Sequence, residues 1–125
     1  MSDSTRPTTD ASHTAFVPVA EAAAMDALFS RSVHEPVLVF KHDPWCIISV
    51  VAHRELSQLG GEIPTVDVAG ARELSLGLAE RTGVRHESPQ VLILRDGEAV
   101  WSASHGAITA AAVARALETG SPTDR

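Results

Sequence analysis

Cys46 is the only cysteine of the chain, and its surroundings are those of a reactive thiol. It lies in Val37-Leu38-Val39-Phe40-Lys41-His42-Asp43-Pro44-Trp45-Cys46-Ile47-Ile48-Ser49, where four apolar, strand-type residues run into a short polar turn. The turn delivers the cysteine to the predicted first turn of a helix. A thiol attacks only as thiolate, and free backbone N–H groups at the positive end of a helix dipole favour that form. Cys46-Ile47-Ile48-Ser49 has the spacing of a CxxC redox motif with serine in the second place. A thiol one turn on could resolve a mixed disulfide at position 46, but a hydroxyl cannot, so the chemistry stops there until an outside thiol intervenes. The bland alternative is a lone buried cysteine serving as a small hydrophobe.

Nearby side chains modify this picture. Lys41 and His42 would support a thiolate if they point toward it, and Asp43 would oppose it. Trp45 reads either as a lid over the sulfur or as a partly exposed packing residue. Ser49 either donates to the thiolate or caps the helix turn.

Several elements must position this motif. The segment 1–15 is rich in Ser, Thr and Asp without hydrophobic period and reads as a tail, 16–119 as one domain, and 120–125 as a second polar tail. Ala22, Met25, Leu28 and Phe29 recur at helical spacing between Val19 and Ser30. Val37 to Phe40 reads as a central strand buried on both faces. After the cysteine, Ile48, Val51, Ala52, Glu55 or Leu56, and Leu59 mark the predicted inner face of a helix ending at Gly60-Gly61. Ile63 to Val68 is a short strand that Pro64 assigns to a sheet edge, because proline cannot donate to a ladder. Ala71, Leu74 and Leu78 place a third helix, ended by Gly83. Gln90 to Arg95 and Glu98 to Ser104 form a hairpin around Asp96-Gly97, with Ala99, Trp101 and Ala103 alternating on one face. Thr109 caps the last helix, with Ile108 and Val113 at staple spacing.

Bulk properties narrow the function classes. At 125 residues with 44% hydrophobic content the chain holds one domain with a real core. A net charge of −6, a single lysine and scattered arginines give no basic stripe, so nucleic acid is not an expected partner. One cysteine excludes an internal disulfide and a four-cysteine zinc site. No run suggests a signal peptide or a membrane span, and a reducing, cytoplasmic setting with no membrane partner is the expectation.

The α-β-α-β-α-β-β-α order resembles the thioredoxin-like fold, an α/β architecture with a central four-stranded mixed sheet flanked by helices. Within it, Phe40-Lys41-His42, Gly83-Val84-Arg85-His86-Glu87-Ser88-Pro89-Gln90, Asp96-Gly97, Trp101 and Ser104-His105 with Ile108-Thr109 resemble the monothiol bacilliredoxin family. The resemblance spans roughly residues 19 to 118. It implies that Cys46 is the redox cysteine, that Ser88-Pro89 is a cis-proline loop facing it, and that Glu87, Ser88 and Pro89 bind substrate. It further implies reduction of mixed disulfides between protein cysteines and a low-molecular-weight thiol such as bacillithiol, the cap moving to Cys46. Bacillithiol would then be a co-substrate and thiol-capped cytosolic proteins the partners, with no bound cofactor. The family carries threonine before and proline after the cysteine, where this chain has Trp45 and Ile47. His86 and His105 fall in loops at the same end of such a sheet, but with Cys46 and His42 they show no recognised zinc spacing, so no metal is expected; His105 joins Lys41 and His42 as a possible modulator of the thiolate. The competing functions are an iron-sulfur carrier, in which monothiol glutaredoxins have glycine where Ile47 stands, and a binding module whose Cys46 is inert.

Overall fold

The computed structural model describes residues 13–119. Its elements are β1 (Thr14–Pro18), α1 (Ala22–Arg31), β2 (Val37–His42), α2 (Ile47–Leu56), β3 (Gly61–Asp67), α3 (Arg72–Thr82), β4 (Gln90–Arg95), β5 (Glu98–Ser104), a 3₁₀ turn (His105–Ala107) and α4 (Ala110–Thr119). They form one five-stranded sheet in the order β1-β3-β2-β4-β5. The first three of these run parallel, and β4 and β5 are antiparallel to their neighbours.

β2 is central because both of its faces can be buried. Val37 and Val39 pack with Met25, Leu28 and Phe29 of α1 and Leu78 of α3, while Leu38 and Phe40 pack with Ala52 and Leu56 of α2 and Val113 and Ala116 of α4. The period-2 alternation of the strand thus feeds two separate cores. Thr109 caps α4 through the Ala112 N–H at 3.1 Å, and Gly83 ends α3 in the left-handed region with φ 75°. Asp96 and Gly97 have φ values of 56° and 79°, the positive pair that a type I′ turn requires. That turn is fastened from outside the hairpin: the Asp96 N–H donates to the carbonyl of buried Ser32, and the Gly97 N–H to its hydroxyl oxygen.

Four sequence expectations change. The sheet has five strands rather than four, because residues 14–18, partly assigned to the tail, pair with β3 from Thr14↔Gly61 to Pro18↔Thr65. β3 is therefore internal despite Pro64. The bonds from Gly61 N–H to His13 and from Val19 N–H to Thr65 point toward β1, which turns position 64 toward β2. Pairing with β2 begins only at Thr65, so the missing N–H falls one residue before that ladder starts. In the hairpin, a register shift pairs Ile93 with Trp101 but Leu94 with Ala99. The bulge turns Ala99 to the α1 side while Trp101 and Ala103 stay on the α2 side.

The fourth change concerns α2. Its buried residues are Ser49, Ala52 and Leu56, and Ile48 and Val51, predicted to face inward, are 46% and 54% exposed. The helix is rotated so that a serine, not an isoleucine, enters the protein. Its partners give the reason.

Candidate active site

Cys46 is the N-cap residue of α2, with extended backbone (φ −108°, ψ 126°), and is half-buried. The turn that presents it is built around Asp43: the Cys46 N–H donates to the Asp43 carbonyl at 3.0 Å and the Trp45 N–H to its carboxylate at 3.0 Å. Ser49 fixes that turn from beneath. Fully buried, its hydroxyl oxygen accepts the Asp43 N–H at 2.9 Å and shares a 2.8 Å hydrogen bond with His42 Nδ1. A serine with two such partners outweighs an isoleucine at this position, because a part-buried Asp43 N–H left unpaired would cost up to about 1–3 kcal/mol. Ser49 therefore neither resolves a disulfide nor serves as a simple helix cap; it holds the nucleophile turn to the end of β2.

His42 is itself packed among rings. It stacks on Phe40 at 5.0 Å and lies 5.1 Å from His53, which stacks on Phe16 at 3.8 Å. Burial, and then the neighbouring His53, hold its imidazole below the ordinary value of 6.5, against the opposing pull of Asp67 and Asp43. At neutral pH His42 is thus an uncharged hydrogen-bonding partner and not a cation beside the thiol. His53 carried no signal of its own in the sequence. Its place one helical turn after Ser49 was the available clue.

Lys41 points to the other face of β2, the side of Val37 and Val39, and is fully buried. Its ammonium donates to Gln90 Oε1 at 3.1 Å, and Gln90 Nε2 donates to the Arg85 carbonyl at 2.9 Å. Desolvation lowers its pKa from 10.5 to about 8, partly offset by Glu87. Lys41 and Gln90 therefore clasp β2 to the loop of residues 84–89, and the ammonium is directed to Gln90.

That loop carries the other predicted residues. The Ser88–Pro89 bond is cis. The Pro89 carbonyl accepts the His105 N–H at 3.0 Å, and His105 Nε2 lies 3.5 Å from Glu87 Oε1, so the start of the 3₁₀ turn grips the loop at two points. His105 is paired with Glu87, and its backbone takes the left-handed φ of 55°. His86 Nδ1 and Ser88 Oγ are buried with no hydrogen-bond partner. Desolvation first, then the charges of Lys41 and Arg72, lower the His86 pKa. Among the described residues no three His, Cys, Asp or Glu side chains form a metal-binding group. Trp45 and Ile47, which flank the sulfur, are 87% and 74% exposed. An open groove of about 830 Å³ lies between α1 and α3, lined by Ala22, Met25, Gly70, Arg72, Gly77 and Arg81, and does not include Cys46.

Residues 18–113 match the family model described as monothiol bacilliredoxin BrxC. The chain belongs to the monothiol bacilliredoxin family. Solved structures agree on the fold. A protein with a thioredoxin fold, described as a candidate oxidoreductase, is 25% identical, with a TM-score of 0.73 over 90% of this chain and 98% of its own. Thioredoxin from Fasciola hepatica is 16% identical with a TM-score of 0.61, over 82% and 97% of the two chains. Spinach chloroplast thioredoxin f is 14% identical with a TM-score of 0.62, over 84% and 92%. Family and fold together give the chain a thiol-redox role and make it a thioredoxin-like α/β protein with a five-stranded mixed sheet. No helix among the described residues is long and apolar enough to cross a membrane.

Proposed function

We propose that the protein is a monothiol disulfide reductase that removes a low-molecular-weight thiol, bacillithiol, from capped protein cysteines. The Cys46 thiolate attacks the cap sulfur of the mixed disulfide. The bond between the cap sulfur and the target's cysteine sulfur breaks, a new disulfide joins the cap to Cys46, and the target leaves as thiolate and takes a proton from solvent. No electrons are gained or lost overall, so no cofactor is required.

The observation that carries this reading is the use of Ser49. Position 49, the site of a resolving thiol in a CxxC motif, holds a fully buried hydroxyl occupied by Asp43 and His42, so the chemistry at Cys46 ends at a mixed disulfide and fits a cap acceptor. The loop of Glu87, Ser88 and Pro89 supports it as the ledge on which the target chain would rest, as one more strand pairs with a free backbone. Trp45 and Ile47 stand in solvent on either side of the sulfur and would contact the arriving target.

Incubation of the reduced protein with a bacillithiolated target, followed by intact mass, tests the proposal. Wild type should gain the mass of one cap as the target loses it, and Cys46→Ser should gain none. Absence of transfer, or equal transfer by C46S, refutes it.

A further inference from the structure

The first turns of α2 present an apolar surface to solvent, ahead of Arg54 and Glu55. Ile47, Ile48, Val50 and Val51 occupy the arc opposite Ser49, Ala52 and Leu56, and Trp45 extends the same surface past the N-cap. Their exposures are 74%, 46%, 38%, 54% and 87% in that order, equivalent to about three fully exposed large apolar side chains, on the order of 600 Å². Soluble monomers rarely expose contiguous apolar patches of more than a few hundred Å².

Charge distribution identifies what covers it. The whole chain carries a net charge of −6, yet residues 45–52 contain no charged group, and the charges that follow on this side of α2, Arg54 and Glu55, are of opposite sign. Two copies repel through most of their surfaces and can meet face to face here without placing like charges together. Pairing the face with itself would bury about 1,200 Å² in total, the lower limit of specific interfaces and appropriate to a transient one. Cys46 lies between Trp45 and Ile47, the two most exposed members of this face, so a two-fold axis passing near them brings the two sulfurs together.

We propose that this face receives a second copy of the chain and that Cys46 of that copy resolves the mixed disulfide formed on the first. The inference rests on Cys46 accepting the cap as proposed above. The thiolate of the reduced copy attacks Cys46 of the capped copy, the bond to the cap breaks, and the small thiol departs as thiolate while a Cys46–Cys46 disulfide forms. One disulfide is exchanged for another, so the step needs no oxidant or reductant. It supplies from a second molecule the thiol that Ser49 cannot provide.

The test uses wild type capped at Cys46 with thionitrobenzoate, whose release is coloured, mixed with reduced wild type. Colour should appear at a rate proportional to both protein concentrations, with a covalent dimer on a non-reducing gel. Val51→Glu, at an ionic strength that screens the added charge, should slow dimer formation at least tenfold while its capping by the small aromatic disulfide stays within twofold of wild type. Normal capping without a dimer overturns the inference and leaves the proposed function standing. Equal dimerisation by V51E, or a loss of capping in step with dimerisation, also overturns it. Failure of Cys46 to accept any cap, visible before the second copy is added, removes both.

Discussion

Replacing Lys41 with methionine isolates the energetics of the buried ammonium beneath the Ser88-Pro89 loop. Lys41 is fully buried, has Gln90 Oε1 as its hydrogen-bond acceptor, and has its pKa lowered from 10.5 to about 8. In the unfolded chain the amine keeps its ordinary value, so between pH 8 and 10.5 the unfolded state binds more protons than the folded one and stability rises with pH. Below pH 8 both states hold the proton, and the unfavourable burial of charge is present in full. Each pH unit across a one-proton difference is worth about 1.4 kcal/mol. The shift therefore sets an upper limit of about 3 kcal/mol on the stability that wild type gains over K41M between pH 7 and 10.5. Urea unfolding of both proteins at pH 7, 8, 9 and 10 measures it as the difference between their free energies. The offset at pH 7 carries opposing contributions, since methionine removes a buried charge but leaves Gln90 Oε1 unpaired, so the slope is the test. A difference constant from pH 7 to 10 would refute the reasoning, because it would mean that the amine titrates as it does in water.

Ser49→Ala leaves both the Asp43 N–H and His42 Nδ1 without their partner; unfolding free energy should fall by about 1–3 kcal/mol, and a loss below about 0.5 kcal/mol would contradict the anchoring role. Ser49→Cys restores a resolving thiol, so the capped variant should expel its cap unaided and lose the mass of two hydrogens relative to the dithiol; a variant that stays capped would show that this buried position cannot reach the sulfur. His42, His53 and His86 all have pKa values lowered from 6.5. The unfolded chain takes up these protons first, so stability is full above pH 6.5 and declines as pH falls below it. His42→Asn, which keeps a polar group near Nδ1, should shrink the drop in urea midpoint between pH 7 and 5, and an unchanged drop would assign the acid sensitivity elsewhere.

The features legible in the sequence were those decided locally. Val37 to Phe40 is apolar at every position and could only be a central strand, Asp96-Gly97 carries its own turn chemistry, and Thr109 and Gly83 mark helix ends by mechanisms confined to a few residues. Cys46 at a helix start is of the same kind. The features that escaped depend on distant partners. Residues 14–18 become a strand by pairing with residues 61–65, a contact that no short window contains. Pro64 sits inside the sheet because the ladder with β2 starts one residue later. The rotation of α2 was ambiguous to periodicity, since apolar residues lie on both of its sides. Ser49 settled it through Asp43 and His42, across a connection of six or seven residues. Lys41 looked like a neighbour of the thiol because it is close in sequence, but strand alternation turns it to the other face of β2.

The two ends of the sheet differ in how their loops are fastened. At the end remote from Cys46, Ser32 accepts both N–H groups of the Asp96-Gly97 turn and donates its hydroxyl to the Phe29 carbonyl, so one buried side chain joins the close of α1 to the hairpin, while Arg95 Nε beside that turn is buried without a partner. At the Cys46 end, His86 Nδ1 and Ser88 Oγ are left without partners. The free energy of local opening should therefore fall along the strand axis, with amides near Ser32 exchanging only in the deepest openings and those of residues 84–89 exchanging first. A target that supplied hydrogen bonds to His86 and Ser88 would satisfy the two unpartnered groups of this loop, and its binding would register as slowed exchange there.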